Sequence, residues 1–205
     1  MILEKICVGS MQVNCYILAE QRDSQAIIID PGAEARKIRQ ALNKYKLQPA
    51  FIINTHGHYD HIGADNEFNI PVYIHKLDAP MLKDAMLNMS GLFASSYTVK
   101  SEIKTLEDNQ VITLDGIELK VVHLPGHTAG GIGLILQKPE DKVAFTGDAL
   151  FYHSIGRSDL SGGNEEALVR SIKEKLLSLS EETRVYPGHG PDSTLGEEKK
   201  HNPYL

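Results

Sequence analysis

Four side chains that can bind metal ions fall within six consecutive positions of the sequence. They are His56, His58, Asp60 and His61. The segment follows an apolar run at 51–53, and alternate residues at a strand end share a face, so His56 and His58 are expected on one side. A turn then brings Asp60 and His61 to an adjacent position. Imidazole and carboxylate groups suit zinc and other borderline divalent ions, so one segment predicts ligands for two neighbouring metal ions.

An exposed polar turn is the simpler interpretation of the same segment. It explains a lone histidine readily, but it explains three histidines and an aspartate poorly. A metal site is therefore favoured. The histidines at 75, 123, 153 and 201 lack such a pattern and are interpreted as surface, core or supporting residues.

The elements that must position these ligands are mostly strands. Apolar stretches typical of strands cover 6–18, 26–29, 51–53, 72–74, 117–122, 132–136, 143–145 and 184–186. Helical spacing of apolar residues predicts amphipathic helices at 34–47 and 165–179, with shorter helices after His61 and at 76–87. The segment 88–105 has no clear period and is expected to be a flexible covering loop. This order favours two packed sheets with helices on their outer faces.

Length and composition limit the class of protein. With 205 residues and 41% hydrophobic content, the chain predicts one domain. A formal charge of -6 offers no basic surface, so neither nucleic acid nor an anionic membrane is an expected partner. The first residues lack the features of a signal peptide and no apolar run approaches membrane-spanning length, which predicts a cytoplasmic protein. Cys7 and Cys15 are expected to be buried structural thiols.

The HxHxDH pattern of residues 56–61 is the hallmark of the metallo-β-lactamase superfamily, which the chain resembles over nearly its whole length. Later segments resemble the family's other ligand motifs in order and spacing: Pro125-Gly126-His127-Thr128, Thr146-Gly147-Asp148 and Pro187-Gly188-His189-Gly190. Each is weak alone, because Gly and Pro beside a polar residue usually mark a turn. The resemblance implies an α/β fold, the αββα four-layer sandwich of two mixed sheets flanked by helices, as a single domain over residues 1–205.

The resemblance also implies two ligand triads joined by one carboxylate. The first triad is His56, His58 and His127. The second is Asp60, His61 and His189. Asp148 would bridge two divalent ions, expected to be zinc, with iron or manganese as alternatives. A water held between such ions becomes a hydroxide near neutral pH and can attack a carbonyl, with Asp60 as the catalytic residue that orients it.

Residues 154–163 narrow the substrate class. They resemble the SIGRxDLxGG segment of small bacterial glyoxalase II-like proteins, which implies hydrolysis of S-D-lactoylglutathione or a similar acyl thioester. Arg157 would bind a substrate carboxylate, or would pair with Asp159 as a structural clamp. The C-terminal helical domain with which full-length glyoxalase II binds glutathione is not expected here. Asp159 and Pro191 also stand where that family has two glutathione-contacting tyrosines.

Other functions compete with this interpretation. The segment 194–203 is also similar to the persulfide dioxygenases, relatives that would hold a single iron through His56, His58 and Asp148. A secreted β-lactamase would need a signal peptide, and a nuclease would need a basic groove. Flavin-linked di-iron reductases usually have glutamate in place of His58. A non-enzymatic scaffold closes four ligands around one ion rather than offering seven. A small-molecule thioester is therefore the expected partner, and the oligomeric state is left open.

Overall fold

The first of two sheets contains the N-terminal part of the chain. The computed structural model describes residues 1–93, 96–139 and 142–205. The strands of this sheet are β1 (Ile2–Val8), β2 (Val13–Ala19), β3 (Gln25–Ile29), β4 (Gln48–Ile53), β5 (Val72–His75) and β6 (Ile103–Leu106). They lie side by side in chain order. Strands β1 to β3 are antiparallel and β3 to β6 are parallel, so the sheet is mixed.

The second sheet is built from the C-terminal part of the chain. Its strands are β7 (Val111–Leu114), β8 (Ile117–His123), β9 (Ile132–Lys138), β10 (Val143–Gly147), β13 (Arg184–Pro187) and β14 (Ser193–Thr194). Their order is β14-β13-β10-β9-β8-β7, with β10 and β13 parallel and the other pairs antiparallel. Between β10 and β13, the short strands β11 (Leu150–Phe151) and β12 (Ser154–Ile155) form a separate hairpin.

The α-helices are α1 (Ala35–Tyr45), α2 (Tyr59–Ile62), α3 (Glu165–Ser171) and α4 (Leu195–His201). Asn164 caps the N-terminus of α3, since its side chain accepts a hydrogen bond from the Ala167 amide. The helix continues as one π-helical turn over Ile172–Leu176. Single 3-10 turns lie at Asp65–Glu67, Ala79–Lys83 and Ser90–Phe93. Both predicted amphipathic helices are confirmed, although the second ends in a π turn rather than as a regular helix.

The apolar core consists of three layers. One lies between α1 and the first sheet, one between the two sheets, and one between the second sheet and α3. Strands β2 and β3 are apolar on both faces because each face is covered. Ile17 and Ile28 face α1 on the outer side of the first sheet, whereas Leu18 and Ile27 face the second sheet. A third layer packs α3 against the outer face of the second sheet. The predicted αββα sandwich of two mixed sheets flanked by helices is therefore confirmed.

Three local expectations need correction. The segment 88–105 is not one loop, because a 3-10 turn forms at Ser90–Phe93 and β6 begins at Ile103; its positions 94–95 lie outside the described residues. Cys15 is buried as expected, but Cys7, on the edge strand β1, is exposed. Helix α4 and the edge strand β14 were not predicted. Among the described helices, none is long and apolar enough to cross a membrane.

Candidate metal centre

All seven predicted ligands lie at the carboxyl ends of four strands. His56 and His58 follow β4, and the next turn forms helix α2, which carries Asp60 and His61. The other three follow strands of the second sheet: His127 after β8, Asp148 after β10 and His189 after β13. Loops at one edge of a rigid sheet pair are the usual position of a site in such folds, because the strands hold the loop starts in place.

The first predicted triad forms a compact group that we call the inner triad. His56, His58 and His127 each offer a ring nitrogen, and these three atoms lie within 4.8 Å of one another. All three residues are buried. His58 Nδ1 and His127 Nε2 are 2.9 Å apart, so two nitrogen ligands converge at this point.

The second triad, which we call the outer triad, lies beside the first. The ligand atoms of Asp60, His61 and His189 also lie within 4.8 Å of one another. His189 Nε2 is 3.3 Å from Asp60 Oδ2 and 3.3 Å from His61 Nε2. This triad adds a carboxylate to two imidazoles, and its His189 side chain is 26% exposed.

Asp148 lies between the two triads. One carboxylate oxygen, Oδ2, is 3.6 Å from His127 Nε2 of the inner triad and 3.5 Å from His189 Nε2 of the outer triad. The other oxygen, Oδ1, is 3.3 Å from His61 Nε2. A single carboxylate is thus in contact with both groups of ligands.

Several donor atoms fit metal ions. His56 Nε2 is buried and has no hydrogen-bond partner among the described residues, which is costly for a polar atom unless a cation binds there. Two further histidines have one ring nitrogen occupied, which orients the other. His127 Nδ1 donates to the Arg157 carbonyl at 2.7 Å, and His189 Nδ1 donates to the Met11 carbonyl at 3.0 Å. Such contacts are typical of histidines that bind metal through the second nitrogen.

Asp30 supports the outer triad and was not predicted as a site residue. It is buried at the end of β3, where its Oδ2 accepts from His61 Nδ1 at 2.9 Å. It also accepts from the backbone and hydroxyl of Thr55, both at 2.7 Å. An aspartate directly after a buried strand is the local signal that could have found it, because Asp148 has the same setting.

Asp78 supports the inner triad in a corresponding way. Its buried carboxylate accepts from the amide of Gly57 at 3.2 Å, from the Thr128 hydroxyl at 2.7 Å and from the amide of Gly130 at 2.6 Å. These contacts hold the loop between His56 and His58 against the loop that follows His127. No local pattern in the sequence marks this residue.

The ionisation of the site follows from burial and from the neighbouring charges. Burial lowers the pKa of His56 well below its ordinary value and, together with His127, lowers the pKa of His58 to about 4. These two imidazoles are therefore neutral and able to bind metal. Burial alone would raise the pKa of Asp148, but the neighbouring His61, His189 and His127 together outweigh burial, so the net pKa is lowered. The pKa of Asp60 is lowered for the same reason, and both aspartates are carboxylates at neutral pH.

Gly188 allows the close approach of the strand ends. A Cβ atom at this position would lie 2.1 Å from Asp148 Oδ1 and 2.8 Å from His61 Cε1. Such distances are shorter than any real contact, so a side chain here would displace the carboxylate between the triads. The glycine of the Pro187-Gly188-His189 motif therefore has a packing role beyond its turn.

The site opens into a pocket of about 350 Å³. We call this space the metal pocket; it is lined by Met11, His58, Tyr59, Asp60, Asn88, Met89, His127, Asp148, Phe151, Arg157, Leu160 and His189. Phe151 lines the pocket, whereas its neighbour Tyr152 stacks on His153, with 4.0 Å between the ring centroids. Arg157 forms a bidentate ion pair with Asp159, in which Nε is 2.8 Å from Oδ1 and Nη2 is 2.8 Å from Oδ2. Its guanidinium is exposed at the pocket edge, so the pair leaves it reachable by an anion.

The four remaining histidines lie outside the ligand cluster. His75 is buried and stacks on His123, with ring centroids 4.2 Å apart and planes 12° apart. His123 Nε2 donates to the Ala129 carbonyl, so this pair helps to hold the loop after His127. His153 pairs with Glu197 at 2.8 Å, and His201 lies near it at the surface.

A four-layer sandwich with two histidine-rich triads at its strand ends defines a class of metal-dependent enzymes. The sequence profile of the Metallo-beta-lactamase superfamily matches residues 8–189, and the chain belongs to this family. Among curated proteins it is 35% identical to the hydroxyacylglutathione hydrolase GloC of Haemophilus influenzae, over 100% of this chain and 98% of that protein. It is 39% identical to the probable metallo-hydrolase YqgX of Bacillus subtilis, over 97% of this chain and 94% of that protein.

Solved structures with a similar fold include proteins that are described in different ways. The crystal structure of BLEG-1, described as a B3 metallo-beta-lactamase, aligns with a TM-score of 0.92 at 40% identity and covers 100% of this chain and 99% of that one. TTHA1623, crystallised in a di-iron-bound form, aligns with a TM-score of 0.82 at 36% identity, with 98% of this chain and 100% of that one covered.

Proposed function

We propose that this protein hydrolyses an acyl thioester, S-D-lactoylglutathione or a similar compound, at a dinuclear metal centre. The inner triad would hold one divalent ion, the outer triad a second, and Asp148 would contact both. The single observation that carries the proposal is the position of Asp148, whose carboxylate lies within 3.6 Å of His127 and 3.5 Å of His189. Zinc suits the nitrogen and oxygen donors, and iron or manganese would suit them as well.

Two divalent ions bound in this way lower the pKa of a water to about 7 and polarise a carbonyl oxygen. The chain's own residues then set the geometry of the reaction. Asp60 is ionised at neutral pH and faces the metal pocket, where its carboxylate can accept a hydrogen bond from the attacking water and so orient it. Asp30 holds His61 of the outer triad, and Asp78 holds the loops of the inner triad, so these side chains are already in position before the substrate binds.

Thioester chemistry suits the groups around the pocket. Water oxygen adds to the carbonyl carbon, the carbon–sulfur bond breaks, and the products are a carboxylate and a thiol. A thiol pKa near ~8.5 makes the thiolate a good leaving group, so the reaction needs no strong general acid. Arg157 at the pocket edge would bind a carboxylate of the thiol half, such as that of glutathione. The identity to GloC, a hydroxyacylglutathione hydrolase, supports this substrate class.

The test is hydrolysis of S-D-lactoylglutathione, followed at the thioester absorbance, on protein of measured metal content. We expect efficient turnover in the wild type and none in His58→Ala, with Val111→Ser on the exposed edge of the second sheet as a matched control. Absence of turnover in protein that holds both metal ions would contradict the thioester proposal. Oxygen uptake on glutathione persulfide by protein with one iron would instead establish the competing dioxygenase function.

β-Lactam hydrolysis is a second candidate, because BLEG-1 is described as a B3 metallo-beta-lactamase and is 40% identical. Both reactions begin with addition of water to a carbonyl carbon, so the same two triads would serve either. Parallel assays with S-D-lactoylglutathione and a cephalosporin separate the candidates. A kcat/KM that is higher for the cephalosporin would replace the thioester proposal.

A further inference from the structure

A second depression in the surface adjoins the metal pocket. It has a volume of about 450 Å³ and is partly open to solvent. We call it the apolar groove; it is lined by His58, Leu77, Asp78, Pro80, Met81, Met86, Leu87, Met89, Leu92, Thr128, Ala129, Leu160, Ser161 and Gly162. The groove and the metal pocket share His58, Met89 and Leu160, so the two spaces adjoin beside the inner triad.

The groove concentrates the exposed apolar surface of the protein. Of the nine large apolar side chains that are strongly exposed in the described residues, four line this one groove. They are Leu77 at 52%, Met86 at 63%, Leu87 at 47% and Leu92 at 62%. Apolar side chains held in water beside a reactive site indicate a ligand surface, since a contiguous patch is costly unless something covers it. Three methionines in the wall allow it to adapt to ligands of different shape.

The charges of the groove exclude an ionic ligand. Its described lining includes no lysine or arginine. The one carboxylate, Asp78, is buried and already accepts from Gly57, Thr128 and Gly130, so it offers nothing to a ligand. By contrast, the exposed guanidinium of Arg157 lies on the metal pocket and not on the groove. The metal pocket therefore favours an anionic end of a ligand, and the groove favours an apolar end.

We propose that the apolar groove binds the acyl chain of the substrate, and that the preferred substrates are thioesters of linear apolar acids. The inference rests on the thioester hydrolysis proposed above and adds the class of acyl group. With the carbonyl at the triads, the thiol half extends along Arg157, and the acyl chain passes Met89 and Leu160 into the groove. A chain that ends at the carbonyl or carries a polar group leaves the groove in water and gains nothing from it.

The test is a series of thioesters that differ only in acyl length. S-acetyl, S-butanoyl and S-hexanoyl derivatives of N-acetylcysteamine share an uncharged thiol, so glutathione recognition does not enter. Each methylene that leaves water for the groove is expected to raise kcat/KM about threefold to fourfold. In the Met86→Ser/Leu92→Ser double variant we expect the gain per methylene, measured against that variant's own acetyl rate, to fall to about 1.5-fold or less. Val111→Ser, at an apolar position that is 45% exposed and lies outside the groove, should keep the full gain.

Binding of non-hydrolysable thioethers separates this proposal from the function itself. We expect the S-hexyl thioether of N-acetylcysteamine to bind more tightly than the S-methyl one in calorimetry, and the double variant to lose that difference. Chain-dependent binding without turnover of any thioester would overturn the proposed function and leave the groove as an apolar ligand site. Turnover without any dependence on acyl length, or a full dependence in the double variant, would overturn the groove proposal and leave thioester hydrolysis intact.

Discussion

The two triads differ in burial and in charge. The inner triad consists of three imidazoles, all buried, and the pKa of His56 and of His58 is lowered by that burial. The outer triad includes the carboxylate of Asp60, and its His189 is 26% exposed on the metal pocket. The difference shows that Asp148 lies between two unequal groups of side chains, one of three buried imidazoles and one with a carboxylate and a partly exposed imidazole.

The largest effect is expected from Asp148, which is in contact with both triads. Asp148→Asn keeps the shape of the side chain and removes its charge, so it should weaken both metal sites at once and lower kcat/KM on the order of a thousandfold. Asp115→Asn, in the exposed turn between β7 and β8, is the matched control and should have wild-type activity. Steady-state kinetics with metal analysis checks both variants. A folded Asp148→Asn protein with two metal ions and near-normal activity would show that the triads do not depend on the bridge.

Substitution of Asp30 and of Asp78 should each weaken metal binding at a different triad. Asp30 contacts His61 of the outer triad, whereas Asp78 holds the loops of the inner triad. Asp30→Asn is expected to lower metal affinity of the outer triad by about 10-fold to 100-fold, and Asp78→Asn that of the inner triad by a similar factor. Competition with a chromophoric chelator, which reports the two affinities separately, measures this. If both variants weakened the same site, the assignment of the two aspartates would be wrong.

Removal of metal should proceed in two steps. Because His189 of the outer triad is 26% exposed and all three histidines of the inner triad are buried, a chelator is expected to take the outer ion at least about tenfold faster than the inner one. The time course of metal release by stopped-flow should show two phases, with the fast one missing in His189→Ala. Release in a single phase in the wild type would indicate that the two sites are equivalent.

The smallest effect is expected at Arg157. Its guanidinium is exposed and paired with Asp159, so Arg157→Ala should raise KM for S-D-lactoylglutathione only about twofold to fivefold and leave kcat unchanged. The Arg157 carbonyl that accepts from His127 remains in the variant, which keeps the inner triad intact. For uncharged N-acetylcysteamine thioesters the KM should not change. An equal change for both thiols would mean that Arg157 is a structural clamp and not a substrate contact.

The sequence predicted much of the architecture because its signals are local. Buried strands have long apolar runs, and 56–61 concentrates four potential ligands in six positions. The family resemblance supplied three more candidates, and the structure brings all seven together, six in the two triads and Asp148 between them. Their roles as ligands stay predictions.

The parts that were missed depend on long-range contacts. Asp30 and Thr55 are 25 residues apart in the sequence. They come into contact only because β3 and β4 lie side by side in the sheet. Helix α4 has a charged sequence with no apolar period, and it forms where Thr194 caps it and Glu198 is buried against the hairpin at His153. The groove likewise joins the segment 77–92 to residues 128–129 and 160–162, which no local pattern connects.

The most direct test of the account is the number of metal ions per chain, measured by mass spectrometry on the same sample whose turnover of S-D-lactoylglutathione is recorded. We predict two divalent ions per chain in the active protein, with activity that rises in proportion to occupancy of the second site during metal reconstitution. Full activity with one ion per chain, unchanged when a second is added, would contradict a dinuclear centre.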